Sequence, residues 1–421
     1  MPGEIVVGLD VGTTKVSTVV GEITAEGTTD IIGYSCVPCS GLRKGVVVDM
    51  ESTAQAIRDS VEQAGQMAKV DIRSVLVGVT GEHIASQNSV GIAPVANQDQ
   101  EITEEDRRRA VEESSTIVLP PDRRILHCIP RYYTVDGQQG VVRPVGMLGA
   151  RLEVDSHIIT AGRSFVENVL RCVYQAGLTL DGESEGVVYA GLAGAESVLS
   201  PDERQQGVMM VDLGGGTADL VIYHAGAIRH SAVIPVGGEH VTQDIAVGLR
   251  LAAAEATRVK CQDGHALAMD VDEETQISVT RIKEENPTLF PRKLLAEIIE
   301  PRVEELLTMI CAEADRGAGD VRLSAGLVLT GGAAQLSGVV EMAHRMTEWP
   351  VRLGMPEIRG SLRSQLAAPT YSTAVGLVRL AAARRARPED PGGRSDHLLG
   401  GLGRAFRRLF GRKPKSHKRR R

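Results

Sequence analysis

Asp10-Val-Gly-Thr-Thr-Lys15 and Asp212-Leu-Gly-Gly-Gly-Thr-Ala-Asp219 each follow a β-branched apolar run, and one lies in each half of the chain. Glycine lets backbone N–H groups approach phosphate oxygens with no Cβ in the way, and threonine hydroxyls add donors. The aspartates suit a bound Mg²⁺, which takes oxygen ligands and keeps several waters. Two such turns predict a phosphate chain held from opposite sides. Neither is a P-loop: Gly12-Thr13-Thr14-Lys15 lacks the longer glycine spacing and is followed by a strand, not a helix.

The surroundings of the two turns match. Residues 4–9 and 16–23 read as a hairpin about the first turn, and 207–224 repeats strand, glycine turn, strand. A duplication of this size indicates two similar domains facing each other. After the first turn, Ala54, Ile57, Val61, Ala64 and Ala68 mark one face of a helix over 49–68, and a strand follows over 74–79. From 81 to 160 the short β-like runs 89–95, 124–129 and 151–160 surround one helix, opened by Thr103-Glu-Glu-Asp106, close to a capping box. This stretch reads as a small inserted α+β subdomain. The helix 164–176, the strand 186–189 and the helix 193–199 resume the first domain. The second half continues with a helical region over 241–260, a helix over 292–314, and an apolar strand ending at Gly331-Gly332 before another helix. Nucleotides commonly bind at the carboxyl ends of such strands.

At 421 residues with 42% hydrophobic content, the chain has room for two or more packed domains. No stretch approaches the roughly 20 apolar residues of a membrane span, and Met1-Pro-Gly-Glu4 lacks a secretory pattern, so a cytoplasmic protein is expected. Six cysteines with one close pair, Cys36 and Cys39, argue against a disulfide framework, and two reduced, buried thiols are expected there. The net charge of −7 is uneven: residues 386–421 hold twelve Lys/Arg against three Asp/Glu, or +9, leaving −16 on the rest. A basic end on an acidic body implies an anionic partner for that end.

The motifs Asp10–Lys15, Asp212–Asp219 and Leu329-Thr-Gly-Gly-Ala333 together resemble the phosphate 1, phosphate 2 and adenosine motifs of the actin, Hsp70 and sugar kinase superfamily. Within it the chain is most similar to FtsA, the actin-like bacterial cell-division family, through Gly41-Leu-Arg-Lys-Gly-Val46, His127-Cys-Ile-Pro130, Pro201-Asp-Glu-Arg204, Leu294–Arg302 and Tyr371–Leu377 among others. The resemblance implies an α/β, actin-like two-domain ATPase fold of duplicated ribonuclease-H-like domains. Residues 1–80, 161–205 and 361–383 would form subdomain 1A, 81–160 the insertion 1C, 206–240 and 306–360 subdomain 2A, and 241–305 subdomain 2B. A flexible linker over 384–396, an amphipathic helix over 397–413 and a basic tail over 414–421 would follow.

The same resemblance implies a site for ATP and Mg²⁺. Gly12, Thr13, Thr14, Gly214, Gly215, Gly216, Thr217 and Asp219 surround the phosphates, and Lys15 supplies positive charge beside them. Asp10 and Asp212 hold the metal through water, and Gly331, Gly332 and Ala333 line the adenosine face. Glu255 faces the ribose, with Arg258 beside the base where lysine is common. Many actin-like ATPases place Glu or Gln at the start of the helix after the strand 186–189 to orient the attacking water. Here Ala190 stands there and Glu196 about two turns later, which predicts slow turnover and a nucleotide that mainly sets conformation and polymerisation.

On a helical wheel, Leu398, Leu402, Ala405, Phe406 and Leu409 share one arc, flanked by Leu399 and Phe410. Arg404, Arg407 and Arg408 lie opposite, with Arg412 at the margin. Such a helix, about 24 Å long, cannot span a bilayer but can lie in its interface, arginines on anionic headgroups. The family has a membrane-targeting helix at this place. It also implies self-association into filaments, binding of the FtsZ C-terminal tail through 241–305, and recruitment of later division proteins through 81–160, at the cytoplasmic face of the inner membrane. Other readings are a small-molecule kinase of the superfamily, a pilus-assembly relative of the fold, and a tail that docks on its own body or binds nucleic acid; Phe and Leu interleaved with the arginines favour lipid.

Overall fold

The computed structural model describes residues 3–182, 186–284 and 286–386. The valine-rich strands β1 (Glu4–Val11) and β2 (Lys15–Ile23) pair antiparallel, closing at Val11 and Val16. β3 (Thr29–Pro38) adds a third strand beside β2 that the sequence reading does not include. It carries Cys36, which is exposed; of the expected pair of buried thiols only Cys39 is buried. Asp49 caps α1 (Met50–Ala68), its carboxylate accepting from the N–H groups of Glu51 and Ser52 at 3.0 and 3.1 Å. Ala54, Ile57, Val61 and Ala64 of this helix are buried. β4 (Ser74–Val79) then runs parallel to β1.

The described residues fall into two compact units, one of 3–87, 119–126 and 159–386, the other of 88–118 and 127–158. The second unit is built on β5 (Ala85–Pro94), α2 (Glu104–Ser114), β6 (Arg123–Val135), β7 (Gln138–Val141) and β8 (Arg151–Gly162), in sheet order β5-β8-β6-β7. The Thr103 N–H donates to Asp106 at 2.9 Å and the Asp106 N–H to Thr103 at 3.3 Å, a complete capping box. β6 runs on past Ile129 because β7 pairs with its end, through Tyr133 with Val141 and Val135 with Gln138.

In the first unit α3 (Arg163–Gln175) leads to β9 (Val187–Tyr189), parallel to β4. α4 (Ala190–Val198) starts directly at the strand end, three residues ahead of the expected Ala193. Its cap, Tyr189, makes no side-chain bond to the helix, so the sequence carries no polar start signal there. The second half holds β10 (Val208–Leu213), β11 (Ala218–His224) and β12 (Ala227–Ile234), then α5 (Gly238–Leu249) and α6 (Ala253–Asp263). The single helical region expected over 241–260 is thus split, at Arg250, whose left-handed φ of 56° ends α5. α7 (Arg292–Ala318), β13 (Gly326–Thr330), α8 (Val339–Thr347), β14 (Val351–Leu353) and α9 (Ser372–Arg385) follow, among other short elements.

The two sheets have one topology. The first reads β9-β4-β1-β2-β3, with Thr179–Leu180 also beside β4, and the second reads β14-β13-β10-β11-β12. Each pairs an antiparallel hairpin with parallel strands, and Asp10 faces Gly78 across the first sheet as Asp212 faces Thr330 across the second. β10, β11 and β13 are almost entirely buried, as expected of strands covered on both faces. α9 is buried over most of its length, with Ala374, Val375, Leu377, Val378 and Ala381 among its buried residues, which fits a central helix. It extends to Arg385, beyond the expected linker start at 384, because Arg385 pairs with Asp181 at 2.8 Å and with Glu4. The helix expected over 397–413 and the tail 414–421 lie outside the described residues. No described helix is long and apolar enough to cross a membrane.

Candidate functional site

Both turns are four-residue loops closed in one way. The Gly12 N–H donates to the Lys15 carbonyl at 3.0 Å, and the Gly214 N–H to the Thr217 carbonyl at 2.9 Å. The loops abut: a Cβ on Gly215 would lie 2.5 Å from the Thr14 side chain, and one on Gly216 2.6 Å from Thr13 Oγ1. Glycine at these places lets the backbone of the second turn pack against the threonine side chains of the first.

Behind them is a cavity of about 910 Å³ lined by Asp10, Gly12, Thr13, Thr14, Lys15, Asp212, Gly214, Gly215, Thr217, Asp219, Gly331, Gly332 and Ala333 of the expected residues. Gly216 lies instead at the junction of the loops. Burial raises the Asp10 carboxyl to about 6, with Asp212 adding to the shift and Lys15 opposing it. Burial also raises Asp212, against a 2.7 Å hydrogen bond from Thr373 and the charge of Lys15. Burial takes Asp219 to about 8, against hydrogen bonds from Thr80 and Thr217 and with the charges of Asp212 and Asp10 adding. Three carboxyls that resist ionisation in one cavity mark a place where a cation is favoured. Among the described residues no three His, Cys, Asp or Glu side chains close into a metal cluster, so a cation here would lean on water and other oxygens. The Lys15 ammonium donates to the Thr370 carbonyl and lies 5.8 Å from the Tyr371 ring centre.

At the other end Gly331 has φ 87°, and a Cβ there would meet Asp212 Oδ1 at 2.1 Å. α6 turns Ala253, Thr257, Lys260 and Cys261 to the cavity. Glu255 and Arg258 are not among the residues that line it. Helical spacing puts them off that face, where Arg258 donates to Glu255 at 2.7 and 2.8 Å and to the Ser278 carbonyl at 2.7 Å. The guanidinium first, and the Thr280 N–H with it, hold the Glu255 carboxyl at about 2. Lys260 takes the cavity place instead, donating to the Gly238 carbonyl at 2.9 Å. Ala190 lines the cavity, whereas Glu196 pairs with Arg204 at 3.0 Å and does not line it. Thr80, Glu239, Lys260, Thr370 and Thr373 are lining residues the sequence reading missed. Thr80 had a signal, for it follows β4 as Gly332 follows β13 in the duplicate.

The family profile "Cell division protein FtsA" matches residues 209–376, and "SHS2 domain inserted in FTSA" matches 81–160. Cell division protein FtsA of Pseudomonas aeruginosa is 42% identical over 376 residues, covering 89% of each chain. The chain belongs to the FtsA family of cell-division proteins. Its fold is that of the actin-like group as well. A PilM–PilN type IV pilus biogenesis complex is similar with a TM-score of 0.63 at 16% identity, covering 90% of this chain and 98% of that one. MreB5 of Spiroplasma citri bound to ADP is similar with a TM-score of 0.52 at 14% identity, covering 91% and 99%. This FtsA-family chain is thus an actin-like cell-division protein with an inserted SHS2 domain.

Proposed function

We propose that the cavity binds ATP with Mg²⁺ and that the nucleotide controls self-association at a membrane. The observation that carries this is the pair of identically closed glycine turns abutting over half-buried Asp10 and Asp212 and buried Asp219. The backbone around Gly12–Thr14 and Gly214–Gly216 cradles phosphate oxygens, the Gly12 and Gly214 N–H groups being taken up in closing the turns, and Lys15 adds charge. Asp10 and Asp212 hold the metal through water, as suits a cation that dehydrates reluctantly. Bound there, Mg²⁺ neutralises phosphate charge. Gly331–Ala333 line the adenosine face, with Lys260 in the place expected of Arg258. That MreB5, alike in fold, was solved with ADP agrees with this reading. Ala190 offers no carboxylate or amide to orient a water, so turnover is slow; phosphate release as fast as a metabolic kinase's would refute that.

Membership of the family supports the finer reading. The helix over 397–413 anchors the protein to anionic lipid at the inner membrane, residues 241–305 hold the FtsZ tail, and 81–160 receives later division proteins. Each basic residue at such a surface is worth about 1 kcal/mol, weakening with salt. The deciding experiment adds protein, ATP and anionic vesicles and asks whether FtsZ is recruited; membrane binding without recruitment would leave a different scaffold role. Vesicle flotation of the full chain, compared with a chain lacking 396–421 at two salt concentrations, tests the anchor. Equal flotation of both would end that part.

A further inference from the structure

A short hairpin beside the first turn belongs to neither glycine loop, yet it meets both. Leu42 pairs with Val47 and Arg43 with Val46, and the two residues between them, Lys44 and Gly45, have φ of 50° and 76°. This is the left-handed pair that a tight hairpin requires. Its tip is wedged in place. The Gly45 N–H donates to Thr13 Oγ1 at 3.0 Å, and a Cβ on Gly45 would lie 2.7 Å from the Thr80 carbonyl oxygen. A Cβ on Gly216, in the second loop, would lie 3.0 Å from Lys44 Cα. The stem is fixed too: the Cys39 N–H donates to the Thr14 carbonyl at 2.9 Å, and the N–H groups of Val48 and Asp49 share the Gly41 carbonyl at 2.9 and 3.1 Å.

The rigid hairpin carries Ser40, Leu42, Arg43 and Val48 to the cavity. Three cations line that cavity: Lys15, Arg43 and Lys260. Two are engaged, Lys15 on the Thr370 carbonyl and Lys260 on the Gly238 carbonyl. Arg43 is exposed and, among the described residues, its side chain makes no ion pair or hydrogen bond; the charge of Glu239 acts at longer range. A guanidinium with free donors on a fixed backbone is suited to bidentate capture of a phosphate. Position says which phosphate. The tip rests on Thr13, Thr80 and Gly216, and Thr80 in turn donates to Asp219, whereas the adenosine face at Gly331–Ala333 is made by the strand end of the other domain.

We propose that Arg43 contacts the terminal phosphate and is the residue by which this cavity distinguishes a nucleoside triphosphate from the diphosphate. The inference rests on the reading of the cavity as an ATP site. The full chain and its R43A and R43K variants are titrated with ATP and with ADP, each with Mg²⁺, by calorimetry. R43A is expected to lose tenfold or more in ATP affinity, the worth of a charge-assisted hydrogen bond, while ADP affinity stays within twofold. R43K, which keeps the charge but not the fork, is expected to fall between. A misfolded fraction lowers the fitted number of sites for both nucleotides alike and leaves the ratio of the two affinities unchanged. Wild-type binding of both nucleotides with an ATP-to-ADP ratio unchanged in R43A overturns this inference alone. Absence of binding of either nucleotide by the wild type overturns the reading of the cavity, and this inference with it.

Discussion

The turn Gly12–Lys15 and the turn Gly214–Thr217 share a length, a closing hydrogen bond and a position between matching strands, but not a chemistry. The first carries two hydroxyls and an ammonium; the second carries three glycines and one hydroxyl. The reason is steric. Where the loops meet, Thr13 and Thr14 fill the space that side chains on Gly216 and Gly215 would need. Duplication kept the backbone scaffold in both halves, and contact between them left most of the functional groups on one side. The strand ends diverge likewise. By register Val79 in the first half answers to Gly331 in the second, and only the latter lies against an aspartate oxygen.

The largest expected effect tests that last difference. Gly331→Ala places a Cβ 2.1 Å from Asp212 Oδ1 at φ 87°, and should cost about 3 kcal/mol or more, seen as a melting point several degrees lower. Val79→Ala removes two methyl groups from a buried strand and should cost less, about 1–2 kcal/mol. A milder loss at Gly331 than at Val79 would mean the halves are less distinct than their geometry says. Next, Lys15→Ala should weaken Mg²⁺·ATP binding tenfold or more, whereas Thr217→Ala, at the same place in the other loop, should change it only about twofold to threefold. Equal losses in a nucleotide titration would assign both loops the same role.

The smallest effect concerns pH. Four residues beyond those strand positions stand His83 in the first half and Gln335 in the second. Burial, then the charge of Arg123, lowers His83 to about 4 from its ordinary 6.5. The unfolded chain therefore takes up a proton that the folded chain refuses. The stabilisation is complete above about pH 6.5 and is lost as pH falls from there toward 4. His83 stacks on Phe165 at 4.8 Å, so His83→Phe can keep the packing. At pH 5 the variant should escape a destabilisation on the order of 2 kcal/mol, with little difference at pH 7.5. Parallel melting curves at both pH values would remove His83 from the account.

Much of the fold was legible because its signals are local. Hairpins about glycine turns, the face of α1 and the capping box of α2 depend on neighbours within a few residues. β3, the direct start of α4 and the break at Arg250 were not legible, since each is set by packing without a polar or periodic mark. The same division runs through the site. Glycines, Asp10, Asp212 and Asp219 announce themselves by spacing, but Glu255 and Arg258 satisfied a motif and then paired with each other off the cavity face.

By itself the sequence determined the duplication, the two turns, the family and the basic amphipathic end, all properties of residue order and spacing. Only the tertiary structure decided that the two loops touch, that Thr373 of the last described helix holds Asp212, that Lys260 lines the cavity, and that the Arg43 side chain stands there unpaired among the described residues. These depend on which side chains meet after residues some 20 to 200 positions apart are packed together, and no local pattern encodes that.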